Sequence, residues 1–184
     1  MKQPGNLLAR WRVPLGYPMA LICFWLARPT IASLYAGAGI AVIGLLVRGD
    51  AAGHLRKGEG LATSGPYRRT RNPLYFGSAI LAVGFAVAAW SWIVMALILI
   101  YMLTFYPAVI RREEIELFAR YGAAFDEFSR RVPAFWPRFS AAEPEGAEFS
   151  WALYKRNREY QAAMGMVVAL ALLALRMWLR RVSG

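Results

Sequence analysis

Two short blocks of this chain carry residues that could do chemistry together. The first reads Gly65-Pro66-Tyr67-Arg68-Arg69-Thr70-Arg71-Asn72-Pro73-Leu74-Tyr75-Phe76-Gly77, and the second reads Arg111-Arg112-Glu113-Glu114-Ile115-Glu116-Leu117. In the first, Arg71 offers a guanidinium to an anion, Asn72 an amide that both donates and accepts, and Tyr67 and Tyr75 aromatic faces that suit a cation. Pro66 and Pro73 each remove a backbone donor and hold the loop extended, so a helix is expected to start near Pro73, its free amides open to an anion. The second block adds Glu113 and Glu114, carboxylates that can hold an ammonium or take up a proton. Neighbouring positions on a helix diverge by about 100°, so only one of the two should face a given pocket well. Both blocks also have a plainer reading. The first would be a basic, membrane-proximal loop with interfacial tyrosines. The second would be a solvated face carrying the four-residue pairs Arg112 with Glu116 and Glu116 with Arg120.

The elements that must position these blocks are set by composition. Of 184 residues, 58% are hydrophobic and 14% aromatic, beyond what a soluble domain carries, so the bilayer is the expected solvent. Five segments could span or enter it, at 13–27, 30–47, 74–90, 91–110 and 162–179, against the roughly 20 residues a crossing helix needs. Lipid leaves backbone groups no partner but one another, so the expected fold is all-α and polytopic, with about five transmembrane helices. The first segment follows Lys2, Arg10 and Arg12 and reads as a retained signal anchor, because the next begins directly after the turn at Arg28-Pro29. Small residues at four-residue spacing, Gly37 with Ala41 and Ser78 with Ala82 and Ala86, read as helix-packing stripes. Trp90-Ser91-Trp92 reads as the tip of a tight hairpin. The fourth helix should run on to Tyr121, about 45 Å, project beyond the membrane and bend at Pro107.

Arginines and lysines concentrate in 48–73 and 111–160, which places both blocks, and a pocket between them, on the cytoplasmic side. Arg176, Arg180 and Arg181 run against this scheme. The last segment could snorkel its arginine, enter only partway, or pair with another copy as a homodimer. A polar linker at 141–146 separates it from the rest, which gives an N-terminal hairpin at 1–47, a core at 48–140, and a linker with a final helix at 141–184.

Several other readings are excluded or demoted. The net charge of +11 is broken up by apolar stretches, which suits an anionic lipid surface and not a nucleic acid. Gly37-Ala38-Gly39 with Gly44 and Asp50 mimics a nucleotide-binding loop but lies inside an apolar helix with no preceding strand. His54, the one histidine, reads as a solvated loop residue. No His, Cys or carboxylate set has metal-ligand spacing, and the one cysteine, Cys23, excludes an internal disulfide.

Taken together, the two blocks resemble the integral-membrane methyltransferases that include isoprenylcysteine carboxyl methyltransferase and the phospholipid N-methyltransferases. The resemblance rests on Gly65, Tyr67, Arg71, Pro73, Tyr75 and Gly77, then, after a membrane hairpin, on Glu113, Glu114, Leu117, Tyr121, Gly122, Val132 and Pro133, over about residues 60–138. The chain departs from the family pattern at Asn72, where a histidine is usual, at Phe125 and Phe128, where tyrosines are usual, and at Val109, which an arginine often occupies in the isoprenylcysteine enzymes. Arg111 or Arg112 would have to substitute for that arginine. The resemblance implies S-adenosylmethionine in a cytoplasmic-side pocket and a lipophilic acceptor, either a prenylcysteine-like carboxylate or an amino-lipid, entering from the bilayer. On it, Glu113, Arg71 and Glu114 are the expected catalytic residues, and Gly65, Tyr67, Asn72, Pro73, Tyr75, Gly77 and Tyr121 the expected cofactor-binding ones. A sterol-type reductase using a nicotinamide cofactor and a non-enzymatic membrane scaffold remain the alternatives.

Overall fold

The computed structural model of the protein describes residues 5–138 and 148–182, with side chains from residue 11 onward, so the linker read at 141–146 lies outside the described residues. The described residues form helices without strands: α1 (Gly5–Leu26), α2 (Ile31–His54), α3 (Pro73–Ala89), α4 (Trp92–Tyr121), α5 (Ala123–Arg131), α6 (Trp151–Arg156) and α7 (Tyr160–Val182). A 3-10 turn, Gly65–Arg68, sits between α2 and α3. All five apolar segments of the sequence are helical. Three of them, α2, α4 and α7, are long and apolar enough to cross a bilayer, and α3 is apolar over 17 residues. Large apolar side chains such as Leu21, Leu46, Leu103 and Val167 stand exposed, the surface expected where lipid is the neighbour.

Local chemistry sets the boundaries. Thr30 and Ser33 form a reciprocal capping box that starts α2, and the Ser33 hydroxyl also donates to the Ala88 carbonyl across the α2–α3 contact. Pro73 opens α3 at the position where its missing N–H costs nothing. Trp90, in the left-handed region at φ 49°, ends α3 and turns the chain into α4.

The α2–α3 pair is the tightest in the molecule because glycines remove the Cβ atoms between two backbones. A Cβ on Gly37 would stand 2.4 Å from the Gly84 carbonyl oxygen, and one on Gly84 would stand 2.8 Å from the Ala41 nitrogen. The predicted α2 stripe, Gly37 with Ala41, therefore is the contact face. On α3 the closest backbone approaches run through Gly77, Gly84 and Ala88; of the predicted Ser78, Ala82 and Ala86 column, Ser78 accepts from Arg48 of α2, Ala86 is buried in the core and Ala82 packs against it.

The cationic end of α7 finds its place at the turn between α1 and α2. Arg176 donates to the carbonyls of Ala27 (3.1 Å) and Trp25, and Arg180 to that of Ala27 (3.4 Å). Arg176 also lies over the rings of Phe24 and Trp25. Two of the three arginines that conflicted with the charge pattern, Arg176 and Arg180, thus cap the carbonyl end of α1, where a cation is stabilised by the helix dipole.

Candidate functional site

The first block is held by the segment that follows α5. Arg71 N–H donates to the Pro133 carbonyl (2.9 Å), Asn72 Nδ2 to the Ala134 carbonyl (2.8 Å), the Thr70 hydroxyl to the Phe135 carbonyl (2.9 Å), and Arg138 N–H to the Arg69 carbonyl (2.9 Å). The Arg71 guanidinium closes the same junction from within. Its Nε and Nη2 donate to Glu114 Oε1 at 2.8 and 2.5 Å, and its Nη1 donates to the carbonyls of Ser129 (2.6 Å) and Val132 (2.9 Å). Its carbon plane lies over the Phe125 ring. Arg71 and Glu114 therefore tie the basic loop to α4, α5 and the segment at 132–138.

Between these elements lies a cavity of about 730 Å³. Tyr67, Arg71, Asn72, Pro73 and Tyr75 from the first block and Glu113, Glu114 and Tyr121 from the second all line it. Both glutamates reach the wall, but with different partners: Glu114 is bound to Arg71, whereas Glu113 Oε1 accepts from the Tyr75 hydroxyl at 2.6 Å. The two remaining sequence candidates do not line it. Gly65, at φ +54°, is packed against the imidazole of His54, 2.6 Å from where its Cβ would stand. Gly77 leaves room for the stem of Arg48, whose Cγ would be 2.6 Å from an added Cβ. Among the departures, Phe125 and Phe128 line the cavity, and Val109 is buried in α4. Arg111 and Arg112 are not in the wall, and Arg112 pairs with Glu116 at 2.8 Å.

Among the wall residues that the sequence reading did not assign to the site are Arg12, Arg48, Tyr101 and Tyr106. Arg12 comes from α1; its Nη1 lies 3.5 Å from the Tyr75 hydroxyl, and its carbonyl accepts from Tyr101. Tyr101 and Tyr106 come from the membrane part of α4, and Arg48 from the end of α2. The available signal was a lone cation, Arg48, closing an apolar helix. His54 is also corrected: α2 extends to include it, its side chain is 9% exposed, and its Nδ1 donates to the Asp50 carbonyl at 2.8 Å.

Electrostatically the wall alternates in sign. Burial, and then the negative charges of Glu113 and Glu159, push the Tyr67 phenol well above its ordinary range, so it remains a neutral hydroxyl. The arrangement can hold a ligand with both a positive and a negative group and enclose it against aromatic faces.

The described residues thus form an all-helical protein, with three helices long and apolar enough to cross a membrane and a polar cavity built from a basic loop and a glutamate pair. The phospholipid methyltransferase family matches residues 11–124, and the chain belongs to it. That match includes α1 and α2, which the motif resemblance left out, and stops short of the segment at 132–138. The chain is 39% identical over 90 residues to the nickel-cobalt-cadmium resistance protein NccN of Alcaligenes xylosoxydans xylosoxydans, a match covering 49% of this chain and 42% of that protein. It is 30% identical over 157 residues to the cobalt-zinc-cadmium resistance protein CzcN of Cupriavidus metallidurans, covering 78% of this chain and 68% of that one. No solved structure matches the chain.

Proposed function

We propose that the protein transfers a methyl group from S-adenosylmethionine to an amino-lipid, in a pocket that faces the cytoplasm. The observation that carries this reading is the convergence of both sequence blocks on one cavity of about 730 Å³, a size that encloses a cofactor-scale ligand. The donor set suits the group: Glu113 offers a carboxylate to a cation, Asn72 an amide, and Tyr67, Tyr121 and Phe125 aromatic faces. When bound, S-adenosylmethionine supplies an electrophilic methyl group on a sulfonium. The chain's own work is then to align the acceptor with that methyl group and to exclude water, effects that contribute about 7–11 kcal/mol.

An amine acceptor is favoured by the state of Glu113. Its one hydrogen bond among the described residues comes from a neutral phenol, so it keeps capacity to attract an ammonium and to receive the proton an amine must shed. The names of the two relatives place those proteins with resistance to nickel, cobalt, zinc and cadmium. On the transfer chemistry proposed here, we assign any such role of this chain to modification of membrane lipid.

The test is titration of the detergent-solubilised protein with S-adenosylmethionine and with NADPH, followed by transfer of labelled methyl into vesicles of phosphatidylethanolamine. Binding and transfer of the first cofactor are expected. Binding of NADPH alone would establish the reductase reading, and binding of neither would leave a scaffold.

A further inference from the structure

The segment beyond the family match wraps the far side of the cavity. Ser150 N–H donates to the Gly53 carbonyl (3.0 Å), and Asn157 Nδ2 donates to the carbonyls of Ala52 (2.9 Å) and Leu55 (2.8 Å), so the last turn of α2 is capped from the tail. Arg156 reaches Glu59 at 2.5 Å, at the tip of the loop whose residues 55–58 and 60–62 line the cavity. At the next turn comes Glu159, the one buried carboxylate among the described residues, 7% exposed.

Glu159 grips Arg48 with both oxygens, Nε to Oε1 at 2.5 Å and Nη2 to Oε2 at 2.9 Å. The remaining nitrogen of Arg48, Nη1, donates to the Leu74 carbonyl (3.3 Å) and to the Ser78 hydroxyl. Arg48, Leu74 and Ser78 are all wall residues, and Leu74 adjoins Tyr75, the partner of Glu113. A guanidinium is a rigid planar fork, so a two-point grip on one edge fixes where its third nitrogen points. Gly77 keeps the path of the Arg48 stem open.

We propose that Glu159 is a positioning residue for methyl transfer: by orienting Arg48 it sets the first turn of α3 and, with it, the Tyr75–Glu113 pair, so that the tail outside the family match is a working part of the site. This rests on the reading of the cavity as the S-adenosylmethionine pocket. Removing one partner of a buried pair leaves the other uncompensated, and the affected wall should lose its register.

The full chain in detergent is compared as wild type, Glu159→Gln, Glu159→Asp and Arg176→Gln, the last loosening the opposite end of α7. Two quantities are measured: S-adenosylmethionine affinity by calorimetry, and ligand-free hydrogen exchange of residues 55–62 and 74–78. Glu159→Gln should weaken binding at least about tenfold, as for loss of a charged hydrogen bond, and speed exchange in both stretches. Glu159→Asp should recover part of each, and Arg176→Gln should change neither while lowering the melting temperature. If Glu159→Gln does not fold, Glu159→Asp against wild type decides. Wild-type affinity and exchange in the Glu159 variants would overturn the inference. Should wild type bind no S-adenosylmethionine, the proposed function falls, and unchanged exchange at 74–78 would separately remove the positioning role.

Discussion

Breaking the Arg71–Glu114 pair and, separately, replacing Glu113 should separate two roles that adjacent, chemically identical residues would otherwise share. Glu114 and Arg71 form a largely enclosed pair, with side chains 25% and 13% exposed, and Arg71 adds two bonds to the carbonyls of Ser129 and Val132. Breaking such a pair by truncating one partner costs about 3–5 kcal/mol when it is fully buried. Glu114 retains some access to water, so the lower end, ~3 kcal/mol, is expected for Arg71→Ala. For a chain of this size, a loss of 1 kcal/mol lowers the melting temperature by about 2–4 °C, giving a fall of roughly 6–12 °C. Arg71→Ala combined with Glu114→Ala should fall no further than Arg71→Ala alone, because the second change removes the stranded charge.

Among the described residues Glu113 makes one hydrogen bond, from the Tyr75 hydroxyl, and it stands more open to water. Glu113→Gln should therefore shift stability by no more than about 1 kcal/mol, while weakening S-adenosylmethionine binding or turnover about ten- to a hundredfold. Thermal unfolding in detergent and a binding titration on the same samples provide both readings. If Glu113→Gln destabilises as much as Arg71→Ala, the division of roles is wrong. If Arg71→Ala leaves the melting temperature unchanged but abolishes binding, Arg71 meets the ligand directly and the clamp is secondary.

Gly37→Leu should prevent the α2–α3 pair from closing, since even a Cβ there would meet the Gly84 carbonyl at 2.4 Å, and loss of a resistant core in limited proteolysis would register it. Tyr67 is kept neutral by burial and by two nearby carboxylates, so its folded pKa lies above its unfolded value. Its contribution to stability is then complete below about pH 10 and is lost as pH rises through the folded value, at a slope of up to about 1.4 kcal/mol per pH unit; Tyr67→Phe should flatten the alkaline fall in melting temperature, and an unchanged slope would refute the assignment. Cysteines placed at Ala62 and Ala123 in a Cys23→Ser background should label from the same side of the membrane, the cytoplasmic one; labelling from opposite faces would exclude a shared pocket.

Much of the framework was legible because it depends on local chemistry. Pro73 marks the start of α3 through its fixed φ and missing N–H, and Gly122, at φ +51°, follows the end of α4; the hairpin tip was legible from the paired tryptophans around Ser91, although Trp90 adopts the left-handed region against its own backbone preference. What was not legible depends on partners distant in sequence. The apolar run of α2 ends near Val47, yet the helix continues to His54, because Arg48 meets Glu159, and the carbonyls of Ala52 and Gly53 meet Asn157 and Ser150. The line of closest approach on α3 was not singled out, for a related reason. Several small residues form parallel columns on that helix, and only the contact with α2 selects the one carrying Gly77 and Gly84.

The same long-range pairing gives the cavity its charge logic. Each glutamate around it except one has an arginine within ion-pair distance: Glu114 has Arg71, Glu116 has Arg112, Glu159 has Arg48 and Glu59 has Arg156. Glu113 makes no such pair among the described residues and accepts only from Tyr75. A paired carboxylate has already spent most of its field on its partner, so a cationic ligand gains little from it. Glu113, held by a neutral donor, retains the field that a sulfonium or an ammonium would feel on entering. Two adjacent glutamates in the sequence are equivalent by type and spacing. The arginine that reaches one of them from the loop before α3 makes that one part of the frame and, on the function proposed above, leaves the other to meet the ligand.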